Sequence, residues 1–182
     1  MAKAVHIIEQ INIPNGVEVE ISNKVVKVKG PKGELVRDFG YAKNIDIRME
    51  NGKIVLETFF ANSKQKALLY TIASHIENMI TGVTKGWRYK LKVISSHFPV
   101  NVKISGNYVV VENFLGERAP RKAKILEGVR VKVEGKDIIV EGIDLEKVSQ
   151  TAANIEIATK VRDKDRRIFV DGVYIYERGV IE

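Results

Sequence analysis

The chain contains no cysteine. Disulfides and thiolate metal sites are therefore excluded, and the absence fits a reducing compartment such as the cytosol. It also lacks any uninterrupted apolar run near the ~20 residues that a membrane-spanning helix needs. The opening, MAKAVHIIEQINIP, has neither the long apolar centre nor the small-residue cleavage site of a signal peptide, so the chain is expected to stay where it is made. Groups suited to catalysis are sparse. The three histidines, His6, His75 and His97, fall in three different expected elements. The serines beside His97 are adjacent to it in sequence, which is not a nucleophile–base geometry. Asp163, Asp165 and Asp171 do not have calcium-loop spacing, and no P-loop or dinucleotide glycine pattern is present. The segment GPKG, Gly30 to Gly33, has the GxxG form of a KH clamp, but it follows a strand and reads as a tight turn. The expectation is a protein that is not an enzyme, with no cofactor, no metal and no small-molecule substrate.

What is present begins with an ordinary globular composition: 45% of the 182 residues are apolar, enough for one large domain or two small ones. The formal net charge is +7. From Ile80 to Lys124 there are nine basic residues and two acidic ones, so this window alone carries the whole excess. Charge so concentrated attracts polyanions, of which nucleic acid is the commonest in a cytosol and an anionic membrane surface the second.

The chain also contains itself twice. VEVEISNKVVKVKGPKGE, from Val17, aligns without a gap with VNVKISGNYVVVENFLGE, from Val100; IDIRMENGKIVLET, from Ile45, aligns with VRVKVEGKDIIVEG, from Val129. Self-similarity at this spacing indicates two copies of one small fold. Within each copy the alternation of VEVEI and VNVKI predicts a half-buried strand. SNK and SGN supply turn residues, and VVKV and YVVV make the return strand. A second hairpin turns at Asn51-Gly52 in the first copy and near Glu134-Gly135-Lys136 in the second. One helix follows in each. The first starts at Asn62 or Ser63, both suitable N-caps, buries Leu69, Ile72, Ala73, Ile76 and Ile80 on one face, and is expected to stop at Gly82. The second is capped by Asp144 and buries Leu145, Val148, Ala152 and Ile155. The fold class expected is α+β: two tandem copies of a small module, each an antiparallel β-sheet packed on one α-helix, with boundaries 1–81 and 82–182.

Three segments carry the cations. In GVTKGWRYKLKV, Gly82 to Val93, a strand would place Trp87, Tyr89, Leu91 and Val93 toward the core and Arg88, Lys90 and Lys92 outward. Same-face neighbours then lie about 6.6 Å apart, close to the phosphate spacing along a nucleic-acid strand; Lys85 precedes them. Lysine on an exposed edge strand, where it blocks unwanted pairing, is the competing explanation. The segment FLGERAPRKAKI, Phe114 to Ile125, crowds Arg118, Arg121, Lys122 and Lys124 around Pro120, whereas the matching stretch of the first copy offsets its cations with Glu34 and Asp38. Arginine forks suit phosphate. The tail alternates Arg162, Lys164, Arg166 and Arg167 with Asp163 and Asp165, a weaker nucleic-acid signal for which internal salt bridges are the competing explanation, and IFVDGVYI reads as a hairpin closed by Asp171-Gly172 that would present the arginines.

Taken in order along the chain, VKGPKGEL, IENMITGVTKGWRYKLKVISSHFPVNV, NFLGE and VRDKDRRIFVDGVY resemble the large-subunit ribosomal protein six family, called L-nine in eukaryotes, over almost the whole length. HFPVNV and DKDRRIFVDG are similar to its archaeal and eukaryotic branch. The resemblance implies two similar α+β domains and binding to large-subunit rRNA, mainly through the second domain. It implies a place near the stalk base, the factor-binding region and the sarcin–ricin loop, beside other large-subunit ribosomal proteins. It also implies a cytoplasmic location, in the ribosome, with no membrane contact. The family's RNA-facing loop and tail fall on Arg118, Arg121, Lys122, Lys124 and on residues 162–167.

The reading that results is a structural ribosomal protein whose second module neutralises phosphates with little reading of base identity. A protein–protein adaptor that uses its sheet edges is the rival, and an RNA affinity that ignores salt would favour it.

Overall fold

Gly86, with φ of +79°, terminates the first helix in the left-handed conformation that glycine takes without penalty. It also opens the second of two units, Met1–Lys85 and Gly86–Glu182. The computed structural model describes residues 4–165 and 167–181. The first unit ends at Lys85, the C-cap of its helix.

In the first unit the chain forms strand β1 (Ala4–Asn12), then β2 (Glu18–Ser22), β3 (Val25–Gly30) and β4 (Gly33–Asp38), then β5 (Asp46–Glu50), β6 (Lys53–Ala61) and helix α1 (Ser63–Thr84). The strands make two antiparallel sheets, β2-β3-β4 and β1-β6-β5. Both expected hairpins close through paired left-handed residues, Asn23-Lys24 and Asn51-Gly52, the twist that two-residue hairpins favour. GPKG is the turn between β3 and β4. Asn62 caps α1: its side chain accepts from the Gln65 amide, and the Gln65 side chain accepts from the Asn62 amide, a reciprocal capping box. The helix lays Leu69, Ile72, Ile76 and Val83 into a core shared with Val26, Val28, Phe39, Ile54 and Leu56.

Gly82 does not end α1, which runs on to Thr84. A glycine inside a helix costs only about 1 kcal/mol, and a tertiary contact holds the last turn. The Lys32 amide at the GPKG turn donates to the Val83 carbonyl at 2.9 Å, satisfying one of the acceptors that a helix end leaves open. Gly30 makes the approach possible, since a β-carbon there would stand 2.7 Å from the Val83 side chain.

The second unit repeats this order. Its elements are β7 (Trp87–Ile94), β8 (Asn101–Ser105), β9 (Tyr108–Glu112), β10 (Arg121–Lys124), β11 (Arg130–Glu134), β12 (Asp137–Gly142), α2 (Leu145–Ala158) and a final strand β13 (Gly172–Val180). The sheet β8-β9-β10 corresponds to β2-β3-β4. The other sheet, β11-β12-β7-β13, corresponds to β5-β6-β1 with one strand added. Asp144 caps α2 by accepting from the amides of Glu146 and Lys147. Val148, Ala152 and Ile155 pack with Leu91, Val109, Val111, Ile138 and Val140 in a second core, and Trp87 and Tyr89 pack against it.

The added strand corrects one expectation. IFVDGVYI is not a hairpin, and Asp171-Gly172 is not its turn: Gly172 starts β13, which runs antiparallel to β7 over its length. Asp171 is only 1% exposed. Its carboxylate accepts from the backbone amides of Ser96 and His97, at 2.7 and 3.1 Å, and from His97 Nδ1 at 2.6 Å. The aspartate ties the segment after β7 to the start of β13 instead of bending the chain.

Candidate nucleic-acid interface

The cationic strip lies on an interior strand. β7 is hydrogen-bonded to β12 on one side and β13 on the other, so edge protection does not account for its lysines. Both flanking strands bring acids to it. Arg88 faces Glu141 directly across the β7–β12 pair, with Nε 2.7 Å from the carboxylate. Lys92 faces Asp137 in the same pair at 2.9 Å. Lys90 faces Glu177 of β13, also at 2.9 Å. Opposite charges directly across strands stabilise a sheet. The hydrogen bond to Glu177 raises the pKa of Lys90. The ammonium of Lys92 holds the carboxyl of Asp137 below its usual value despite partial desolvation. The strip is bare of acids only along the sequence; in the fold Arg88, Lys90 and Lys92 each have their own carboxylate.

The segment between β9 and β10 divides its cations by face. Its first part is a short 3-10 turn, Phe114–Gly116. Arg121 faces inward. Its guanidinium binds both oxygens of Glu117, at 2.6 and 2.8 Å, and lies 4.4 Å from the centre of the Phe114 ring. It also donates to the carbonyls of Ala158 and Lys160, at 3.0 Å each. Those carbonyls belong to the end of α2 and the residues just after it, so Arg121 acts as a side-chain cap of that helix. The same fork keeps the Glu117 carboxyl below its usual pKa. Ala123 shares this inward face and is buried.

Lys122 and Lys124 alternate with these residues and point the other way. Both are exposed. Among the described residues neither has an ion pair, and the same is true of Arg118, Arg162 and Lys85. Arg118 lies in the exposed stretch before β10, Arg162 just beyond α2, and Lys85 at the C-cap of α1 in the first unit. In the tail, Lys164 sits 4.8 Å from the Phe169 ring centre, and Arg167 binds Asp165 at 2.8 Å with its side chain 89% exposed. That pairing holds Asp165 below and Arg167 above their usual pKa values. Arg166 lies outside the described residues.

The structure therefore brings Arg88, Lys90 and Lys92 onto one strand but neutralises them. It engages Arg121 with Glu117 and the end of α2, and on the opposite sheet face Lys122 and Lys124 make no ion pair among the described residues. Sequence reasoning passed over the partners: Asp137, Glu141 and Glu177 stand outside the cationic window, and only strand order shows that they return to it. Among the described residues no cluster of three His, Cys, Asp or Glu side chains is suited to a metal ion, and no helix is long and apolar enough to cross a membrane.

The fold is thus a tandem α+β repeat whose strand β10 exposes two lysines that make no ion pair among the described residues. Comparison with known families makes the assignment specific. The family described as Ribosomal protein L6 matches residues 13–86 and again 98–172, one match for each copy. The chain is 60% identical over 185 residues to the large ribosomal subunit protein uL6 of Ignicoccus hospitalis, covering all of both chains. It is 59% identical over 181 residues to that of Aeropyrum pernix, again with full coverage. With the protein of the same name from Staphylothermus marinus it shares 60% identity over 182 residues, covering 98% of each. The chain belongs to the ribosomal protein L6 family.

Proposed function

We propose that this protein is a non-enzymatic structural constituent of the large ribosomal subunit and that it binds large-subunit rRNA mainly through its second unit. The observation that carries the RNA contact is the pair of exposed lysines without ion-pair partners on β10, Lys122 and Lys124. Arg118 and Arg162 extend the unpaired charge, and Lys164, Arg166 and Arg167 contribute from the tail. Arg88, Lys90, Lys92 and Arg121 support the interface by holding the sheet and loop in shape. Such a surface binds by neutralising phosphates and positions RNA without reading its sequence. The full-length likeness to uL6 proteins supports a place in the ribosome. The family resemblance adds a location near the stalk base and factor-binding region, beside other large-subunit proteins and in the cytoplasm.

A salt titration of binding to large-subunit rRNA tests this reading. Log affinity should fall linearly with log salt, and Lys122→Ala should reduce the slope by about 0.7 to 0.9 for a lost phosphate contact. An affinity indifferent to salt would overturn it in favour of an adaptor that binds protein.

A further inference from the structure

The sheet β8-β9-β10 has two unlike faces. Val109, Val111 and Ala123 lie in the second core, so alternation turns Tyr108, Val110 and Glu112 of β9 and the two free lysines of β10 to the other side. Strand register arranges that side in rows. Lys103, Val110 and Lys122 lie directly across from one another, and in the next row so do Ser105, Tyr108 and Lys124. Neighbours within a row are about 4.8 Å apart across the strands, and the rows are about 6.6 Å apart. Tyr108 is 44% exposed. Val110 is only 5% exposed although it lies outside the core cluster; the lysines flanking it have methylene stems long enough to cover an apolar side chain. The one acid on this face, Glu112, is engaged by Lys103 at 2.5 Å and by Asn101. The ammonium of Lys103 holds the Glu112 carboxyl below its usual pKa, and Glu112 makes no ion pair with Lys122 or Lys124.

We propose that Tyr108 is a stacking platform for one unpaired RNA base, with Lys124 and Lys122 on phosphates of the same strand. The proposal rests on the RNA reading above and narrows it to an unstacked nucleotide. An A-form helix keeps its bases within the stack, and proteins reach them where bulges, loops or ends splay them out. An exposed aromatic ring with cations at its side suits a base of any identity, because every base has a π face. A protein partner would call for a wider apolar patch. Ile104, the exposed apolar side chain on β8, lies on the core-facing side of the sheet.

The test uses the full chain and large-subunit rRNA of Aeropyrum pernix, with two probes read in parallel. Hydroxyl-radical cleavage reports backbone contacts, and base-specific modification reports exposure of unpaired bases. The wild-type protein should protect a backbone segment and one unpaired base within it. Tyr108→Ala should restore that base's reactivity and weaken binding roughly 5- to 150-fold, the range for loss of one base–aromatic stack, while the backbone footprint remains at saturating protein. Tyr108→Phe should keep the base protected. Lys122→Ala should weaken the backbone footprint in a salt-dependent way. Base protection that survives Tyr108→Ala, or a footprint containing only paired bases, would overturn the stacking role and leave the phosphate contact standing. Absence of any backbone footprint with the wild-type protein would overturn both. A Tyr108→Ala protein that keeps every RNA protection but no longer co-sediments with large subunits would assign the ring to a protein neighbour and overturn the proposal.

Discussion

Lys90 and Glu177 stand 87 residues apart in the chain and meet across the β7–β13 pair, with the ammonium 2.9 Å from the carboxylate. The counter-charge of this lysine thus comes from the last strand of the sheet. Lys90→Ala and Lys92→Ala should therefore leave the slope of log RNA affinity against log salt at the wild-type value. Lys122→Ala and Lys124→Ala should each make it shallower. Filter binding or fluorescence anisotropy across a salt series separates the two pairs.

Arg121 gives a sharper contrast with its neighbour. Replacing it by alanine removes a bidentate carboxylate contact, two carbonyl contacts at the end of α2 and the Phe114 ring contact. We expect a loss of roughly 1–3 kcal/mol in urea unfolding, with the salt slope of RNA binding unchanged. Arg121→Lys should recover little of the stability, because an ammonium cannot reproduce the planar fork. Lys122→Ala should do the opposite, reducing RNA binding while lowering the unfolding midpoint far less than Arg121→Ala, by the packing of its stem over Val110 alone.

Asp171 predicts an acid limb in the stability profile. Burial raises its pKa, but the hydrogen bonds from the His97 ring and from the His97 and Ser96 amides outweigh that and leave it below the ordinary value. A carboxyl with a depressed folded-state pKa stabilises fully above the unfolded value of about 3.9 and loses that contribution as pH falls toward the folded value. Asp171→Asn should be less stable than wild type at neutral pH, and the gap should narrow as pH drops below about 4. Urea midpoints measured from pH 6 to pH 2.5 for both proteins provide the check.

Gly30→Ala should destabilise the first unit, because its new carbon would meet the Val83 side chain at 2.7 Å and the Val83 carbonyl at 2.8 Å. Overpacking of this kind costs typically 1–3 kcal/mol. Val83→Ala in the same chain should relieve only part of the loss, since the carbonyl contact remains. Thermal unfolding of the single and double variants resolves the two contributions.

Much of this architecture was legible along the chain because it rests on local signals. The alternation in VEVEI and VNVKI, the turns at Asn51-Gly52 and Gly135-Lys136, and the caps at Asn62 and Asp144 each occupy a few adjacent residues, and the duplication displays each signal twice. The misreadings share a different cause. Gly82 looked like a helix stop because the contact that overrides it comes from Lys32. Asp171-Gly172 looked like a hairpin turn because the donors that use the aspartate lie at Ser96 and His97. The strip in β7 looked unneutralised because its acids arrive from β12 and β13. Within the candidate interface, the split between Arg121 and Lys122 is implicit in strand alternation, but it became visible only once residues 121–124 were known to be a strand with Ala123 turned to the core.

The added strand also bears on the order in which the molecule can mature during synthesis. The first unit has every segment of its two sheets and its helix once Lys85 has been made. In the second, β7 is among the earliest segments translated, yet its β13 partner is not complete until Val180. One flank of β7 must therefore wait, with Lys90 lacking its counter-charge, until most of that unit has been added, whereas Lys92 meets Asp137 earlier, with β12. A nascent second unit is thus a more basic and less finished object than the released one. The last nine-residue strand is the step that converts it.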